Sequence, residues 1–458
     1  LEWRAHHCRV EGLDVLQVLL RRSFVARELG CGRVVAVIAL VPRVPDGRPV
    51  SDPRESDSTA LDAARPLGLS SFRIAAVSIP RLDVELTRRG KRGGKSVRSD
   101  HARFEASDLV FDPAADARAR PALSAKEARL TATGLAIRFD TRGEITVDGL
   151  EADLAHSTLR LIGARHEPQI PEHDWVRRHR FRRDRIRFGL DSLRARGFAW
   201  RAFIATGGIG IRALELDGPR LDVLSDRRLP PGRPVRHRIP QQVAAGHGPA
   251  LRLDSVIVTR GSIVYRERHP GRRRPGQVTF DSVRATVLHL DLPSRGKPLE
   301  VAARARLMNQ GWLTVQASVP LDAPDFRYRL SGRVGSMPAA AFNRMLSENE
   351  AYELADGWVE GIAFEQAAEG GRTVTTLTPR YYDLSVQPTG EGGGLFGSVK
   401  RSVKKFFANA FKVRSRNPGE DGKNLRTART SRRYDPADPW VRFLWISLRD
   451  GLMEVVKE

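Results

Sequence analysis

Apolar and polar residues alternate with a period of two along Leu130–Thr133, Leu135–Asp140, Ile145–Asp148, Leu150–Leu154 and Leu159–Leu161. That is the pattern of strands with one dry and one wet face. Gly134, Gly143, Gly149 and Gly163 punctuate these runs and predict breaks between them. The alternation returns at Leu214–Asp217, Leu221–Leu224, Leu251–Thr259, Ile263–Glu267, Val278–Leu290, Leu299–Leu307, Leu313–Val319 and Phe326–Val334. A mainly β, largely antiparallel and meandering chain follows. Helical spacing is confined to Leu13–Arg22, Phe198–Thr206, Pro338–Glu348, Leu395–Val413 and Pro439–Val456. Residues 171–187 read as a charge-dense connector, and 46–67, 229–249 and 414–439 as loops. The apolar run Val34–Val41 is too short to span a bilayer and reads as a buried strand.

The pattern repeats on a longer scale. Residues 7–50 match 192–235 without a gap, with Gly12 on Gly197, Arg27 on Arg212 and Leu29 on Leu214, a shift of 197 − 12 = 185. Downstream, Ser71–Leu86 matches Ala250–Tyr265 with Phe72 on Leu251, a shift of 251 − 72 = 179. Units that cannot each close a core bury their apolar face against their neighbours, which predicts an elongated, curved sheet built from repeats, a β-groove with few helices. The divisions are a first repeat unit over 1–187, a second with its extension over 188–390, and a segment with two amphipathic helices over 391–458.

Composition sharpens the choice of partners. The 458 residues are 41% hydrophobic and carry a formal charge of +23, so the chain can fold and favours phosphate-bearing partners, either nucleic acid or anionic lipid. Aromatics are only 7%, and no nucleic-acid recognition motif interleaves with the arginine runs, so nucleic acid is the weaker expectation. The two cysteines, Cys8 and Cys31, fall opposite Leu193 and Leu216 in the repeat and read as buried thiols. The chain begins at Leu1 in mid-pattern, and an N-terminal signal or anchor is expected ahead of it.

Segments that imitate catalytic motifs fail on context. Arg89–Ser96 ends like a phosphate loop, but its first required glycine is Arg89 and it joins two strands. Gly208–Ala213 leads into the alternating ALELD instead of a helix. His166 and His173 lack the spacing of two ligands on a helix, which Pro168 and Pro171 forbid. No enzyme, metal or cofactor is expected.

The tail carries a sharper signal. Phe396, Val399, Val403, Phe407 and Phe411 fall on one helical stripe bordered by Lys400, Lys404 and Lys405, a pattern suited to an anionic membrane surface and also to capping a β core. The stretches Leu221–Val235, Val264–Val283, Lys404–Pro418 and Phe443–Val455, with the repeat, are similar to AsmA-like bacterial envelope proteins, of the superfamily of repeating β-groove, bridge-like lipid-transfer proteins. The resemblance implies a taco-shaped sheet with an apolar interior, an inner-membrane anchor, a periplasmic or envelope location, and a role in outer-membrane lipid supply or assembly. Its partners would be phospholipid or another acyl-chain lipid, an anionic membrane surface, and other envelope proteins. Alternation nominates Phe72, Ile74, Ala76, Leu251, Leu253, Ile263 and Tyr265 as groove-lining residues. A structural envelope scaffold that uses the groove only as its core is the alternative, and a basic nucleic-acid-binding protein the second.

Overall fold

The computed structural model describes residues 2–39, 71–87, 96–99, 101–111, 123–140, 143–200, 202–203, 207–232, 236–246, 250–272, 274–294, 296–349, 352–388 and 413–457. The chain is mainly β, in a large mixed sheet. Its first part contains β1 (Glu2–Glu11), α1 (Val15–Arg21), β2 (Ser23–Ala39), β3 (Ser71–Ile79), β4 (Leu82–Thr87), β5 (Ser96–Arg98), β6 (His101–Phe111), β7 (Leu123–Ser124), β8 (Glu127–Asp140), β9 (Gly143–Asp153) and β10 (Thr158–His166). Then come α2 (Trp175–Arg178), β11 (Asp184–Arg196), β12 (Ile209–Asp217), β13 (Arg220–Asp226), α3 (Pro240–Ala244), β14 (Leu251–Arg268), β15 (Gly276–Leu292), β16 (Leu299–Leu307), β17 (Gly311–Val319) and β18 (Tyr328–Val334). The chain closes with β19 (Met337–Pro338), α4 (Asn343–Asn349), β20 (Tyr352–Glu369), β21 (Arg372–Pro388), β22 (Ala428–Arg433) and α5 (Trp440–Val456). Contacts divide these into two compact units: 1–169 with 188–218 and 247–257, and 170–187 with 219–246 and 258–458.

The sequence repeat is a repeat of local geometry. Gly12 and Gly197 both sit at positive φ, +63° and +67°, and a Cβ on either would lie 2.8 Å from the Cβ of Arg27 or Arg212. The N–H of Asp14 donates to the Val25 carbonyl at 2.9 Å, and at the equivalent place Ala199 donates to Gly210 at 2.8 Å. In both copies an antiparallel pair (β1–β2, β11–β12) flanks a helical turn. In the first copy the second strand of the pair then runs parallel to later ones, β2 to β3 and β4. In the second copy β13, which answers the end of β2, is parallel to β14. The offsets, 82 − 34 = 48 and 262 − 220 = 42, differ by the 6 residues that separate the two sequence shifts, 185 − 179.

Most ladders among the described residues are antiparallel, as the alternation predicts, and the parallel ladders of β2 and β13 make the sheet a mixed one. A parallel return needs a crossover of a dozen residues or more, and 227–250 connects β13 to β14. Residues 229–249, expected as a loop, contain α3, and 46–67 lie outside the described residues. Three further readings change. β8 runs through Gly134, β9 through Gly149 and β10 through Gly163, because a glycine inside a ladder is absorbed as an irregularity without ending it. Ala428–Arg433, assigned to a loop, is a strand paired with β21. Cys8 and Cys31, read as thiols, are directly opposite each other across β1 and β2 and form a disulfide. Their counterparts Leu193 and Leu216 are opposite each other across β11 and β12. One cross-strand site is thus filled by an apolar pair in one copy and a covalent pair in the other.

In the first unit one face of the strands supplies the core: Val34, Leu82, Ala102, Ala132, Leu135, Val147, Ala164 and Leu190 cluster there. A second cluster gathers Ile74, Val77, Ala106 and Ala128. The other face carries ion pairs such as Arg138–Glu144 and Arg194–Glu215, exposed and of small energetic weight. In the second unit α5 covers one end of the apolar face. Phe443 and Ser447 are buried, with Phe443 packed with Phe326, Tyr328 and Ala368, and Gly451 rests against Leu377 and Ala428. α4 and the turn before it cover the other end, over Leu307, Met308, Val334, Met337 and Val359.

Candidate functional site

The nominated groove residues scatter over different environments. Phe72 is half-buried and stacks on Phe111 with centroids 5.3 Å apart, and Ile74 is buried, both against the Val77–Ala106 cluster. Ala76 is exposed, and Val77 takes the buried position. The alternation changes phase there because the β3–β6 ladder skips a residue on each strand, opposite Asp108 at positive φ. The second copy does the same: Leu253 and Val256 are buried, three residues apart. Leu251 and Ile263 are half-buried. The stripe Phe396, Val399, Lys400, Val403, Lys404, Lys405, Phe407 and Phe411 lies outside the described residues.

Tyr265 belongs to an ionic cluster. Its hydroxyl donates to Glu267 Oε2 at 2.9 Å, and Arg227 Nε approaches Glu267 Oε1 at 2.8 Å. Burial, with the Glu267 charge beside it, pushes the phenol up to about 12. Burial opposes ionisation of Glu267 too, but the hydrogen bond and charge of Arg227 more than offset it and hold the carboxyl below its ordinary range. Nearby, Arg266 grips Asp222 through Nε and Nη2, both at 3.0 Å, and reaches Glu172 with Nη1 at 2.9 Å. Arg268 holds the other oxygen of Glu172 at 2.9 Å. Through Glu172 these pairs fix the connector 170–187 to β14, and Arg266 ties β14 to β13.

The surface that sequence reading missed lies in the second unit, on β15 to β18. Val287, Val301, Ala317 and Leu330 are successive cross-strand partners, and so are Ala285, Ala303, Val315 and Gly332. All eight are half-buried, whereas the alternate positions Thr286, Ala302, Arg304, Thr314, Gln316, Arg329 and Arg333 are exposed. The two apolar rows continue into Gln366–Thr375 and Phe364–Leu377, which are buried. Between the clusters under α4 and α5 the apolar face is therefore only partly covered. Its side chains are small: Ala285, Ala303, Ala317 and Gly332. At Gly332 the Phe364 ring comes so close that an added Cβ would lie 2.3 Å from Cζ. The signal was present in the alternation of Leu299–Leu307 and Leu313–Val319, but alternation does not say which part of a dry face is left open.

Among the described residues no three His, Cys, Asp or Glu side chains gather as metal ligands, and no helix is long and apolar enough to cross a membrane. No protein-family model matches the chain, and no curated protein matches it in sequence.

Proposed function

We propose that the chain guides lipid acyl chains along an apolar β face, as an envelope protein of the AsmA-like kind. The half-covered rows Val287–Leu330 and Ala285–Gly332 carry this reading, because they leave aliphatic surface of small side chains between two capped ends. A phospholipid with roughly 30 methylenes gains about 25 kcal/mol on leaving water, at about 0.8 kcal/mol per methylene. On a uniform apolar strip each step exchanges one dry contact for another, so the lipid slides while its headgroup stays wet. The Cys8–Cys31 disulfide suits an oxidising compartment such as the periplasm. The basic, aromatic pattern of 395–413 supports contact with an anionic bilayer. Mass spectrometry of the chain purified without detergent tests the reading: stoichiometric phospholipid is expected. A lipid-free chain that also takes up none from vesicles would leave the apolar strip as scaffold alone.

A further inference from the structure

The face of β15–β18 opposite the apolar rows carries a line of arginines. Arg284 stands directly across from Arg304, Arg304 across from Thr314, and Thr314 across from Arg333. All four are exposed. Like charges set opposite each other destabilise a ladder, and no acid relieves these: among the described residues Arg284, Arg304 and Arg333 form no ion pair. Other exposed arginines of the same unit do find acids, as Arg327 finds Asp325, Arg380 Glu360 and Arg432 Asp450. Arg304 lies instead over the Trp312 ring, 3.8 Å from its centroid, with Arg306 at 4.3 Å. A guanidinium held face-on to an indole keeps its in-plane N–H groups free to donate. Beside the line is a cleft of about 490 Å³, walled on the same face by Thr314, Gln316, Ser331, Arg333, Glu365 and Thr376. Glu365 likewise forms no ion pair among the described residues.

We infer that this face binds a phosphate monoester of a hydroxyl-rich alcohol, the chemistry of a sugar phosphate. Arg304 and Arg333 flank the Thr314 hydroxyl and receive the dianion: guanidinium forks match phosphate oxygens two at a time, and the hydroxyl adds a further donor. The dianion also offsets the repulsion between Arg284 and Arg304. Glu365 repels a second phosphate but accepts hydrogen bonds from hydroxyls, and Gln316, Ser331 and Thr376 both donate and accept, so the cleft takes the neutral polyol part of the ester. Cationic at one end and polar without excess cation at the other, the site selects a molecule that has both parts. A free sugar phosphate and a phosphorylated inositol headgroup share this chemistry. The inference does not depend on lipid carriage, which uses the opposite face.

Isothermal titration of the full chain with glucose-6-phosphate, inorganic phosphate and glucose tests it. Saturable binding of glucose-6-phosphate is expected, at least tenfold tighter than that of inorganic phosphate, with none of glucose. Arg304→Gln and Arg333→Gln should each weaken it at least tenfold, and Glu365→Leu should narrow the gap between the two phosphates. Arg329→Gln, exposed on the same face but beside Ser318 instead of Thr314, should change nothing. All four side chains are exposed, so each variant should keep the wild-type unfolding midpoint. Absence of saturable glucose-6-phosphate binding overturns the inference, as does binding that Arg304→Gln and Arg333→Gln leave intact. Equal affinity for inorganic phosphate overturns the place given to the polyol. Phosphatidylcholine vesicles containing phosphatidylinositol phosphate distinguish the sources: capture of the chain that glucose-6-phosphate reverses assigns the site to a headgroup, and no capture assigns it to a free ester.

Discussion

At the scale of the residue, the repeat is enforced by backbone sterics. Gly197 combines φ of +67° with an arginine Cβ 2.8 Å from where its own would stand, whereas Gly207, at +72°, has nothing within 4 Å. A left-handed conformation costs a non-glycine residue about 1–2 kcal/mol, and a forced overlap adds about 1–3. Gly197→Ala is therefore expected to lose roughly 2–5 kcal/mol and Gly207→Ala about 1, measured by denaturant unfolding; equal losses would remove the role given to Arg212. The ionic cluster makes a prediction about pH. Glu172 and Glu267 have folded pKa values below the ordinary 4.5. The folded chain thus binds fewer protons than the unfolded chain through that window, and stability, complete above about pH 4.5, is lost as pH falls through the folded values. Glu267→Gln should lower the midpoint at pH 7, by about 3 kcal/mol in stability for breaking a buried pair, and flatten the acid limb below pH 4.5. An acid limb as steep as wild type would mean that Glu267 is not among the groups that titrate there. Sequence spacing could not have placed these residues, since Glu172 reaches Arg266 across 94 positions.

At the scale of the element, strands with a clean period of two were legible and those without it were not. β16 follows the alternation of Leu299–Leu307 to the residue, and β17 starts at Gly311, two residues ahead of the alternation Leu313–Val319. β22 is ARTSRR, in which only Ala428 is apolar, and its identity as a strand comes from β21 beside it and α5 above. The disulfide was within reach of sequence reasoning. The repeat put Cys8 on Leu193 and Cys31 on Leu216, and had those leucines been taken as cross-strand partners, the cysteines would have been paired as well. Thiol titration of the denatured chain before and after reduction is expected to give none and then two. By loop closure over the 23-residue separation the bond contributes about 3 kcal/mol, and reduction should lower stability by about that much. Cys8→Leu/Cys31→Leu, which copies the second repeat, should recover part of the loss, since Leu193 and Leu216 pack into the first-unit core from the same register. If the leucine pair were no better than reduced cysteine, the two cross-strand sites would not be equivalent.

At the scale of the whole molecule, the proposed lipid carriage depends on how much of an apolar face is left uncovered. A probe of a lipid path must add charge where a lipid would lie without touching the core. Leu253 fails that requirement: it is 8% exposed, and an aspartate there exchanges packed aliphatic surface for a buried carboxylate, which costs several kcal/mol and unfolds the first unit. Ala303 and Ala317 meet it. They lie on adjacent strands of the half-covered rows, one beside Val315 and the other beside Val301. With water over the strip a carboxylate there stays hydrated, so Ala303→Asp and Ala317→Asp should change stability by about 1 kcal/mol or less, the range of strand preference. With an acyl chain over the strip the same carboxylate is desolvated and unpaired, at a cost of several kcal/mol. Each variant is therefore expected to keep its unfolding midpoint within a few degrees of wild type and to lose at least tenfold in co-purified phospholipid. Ala302→Asp, on the exposed face of the same strand, should lose none. Equal lipid content in Ala302→Asp and Ala303→Asp would show that the alternation of β16 does not select the lipid side, and the acyl path proposed for this face would be wrong.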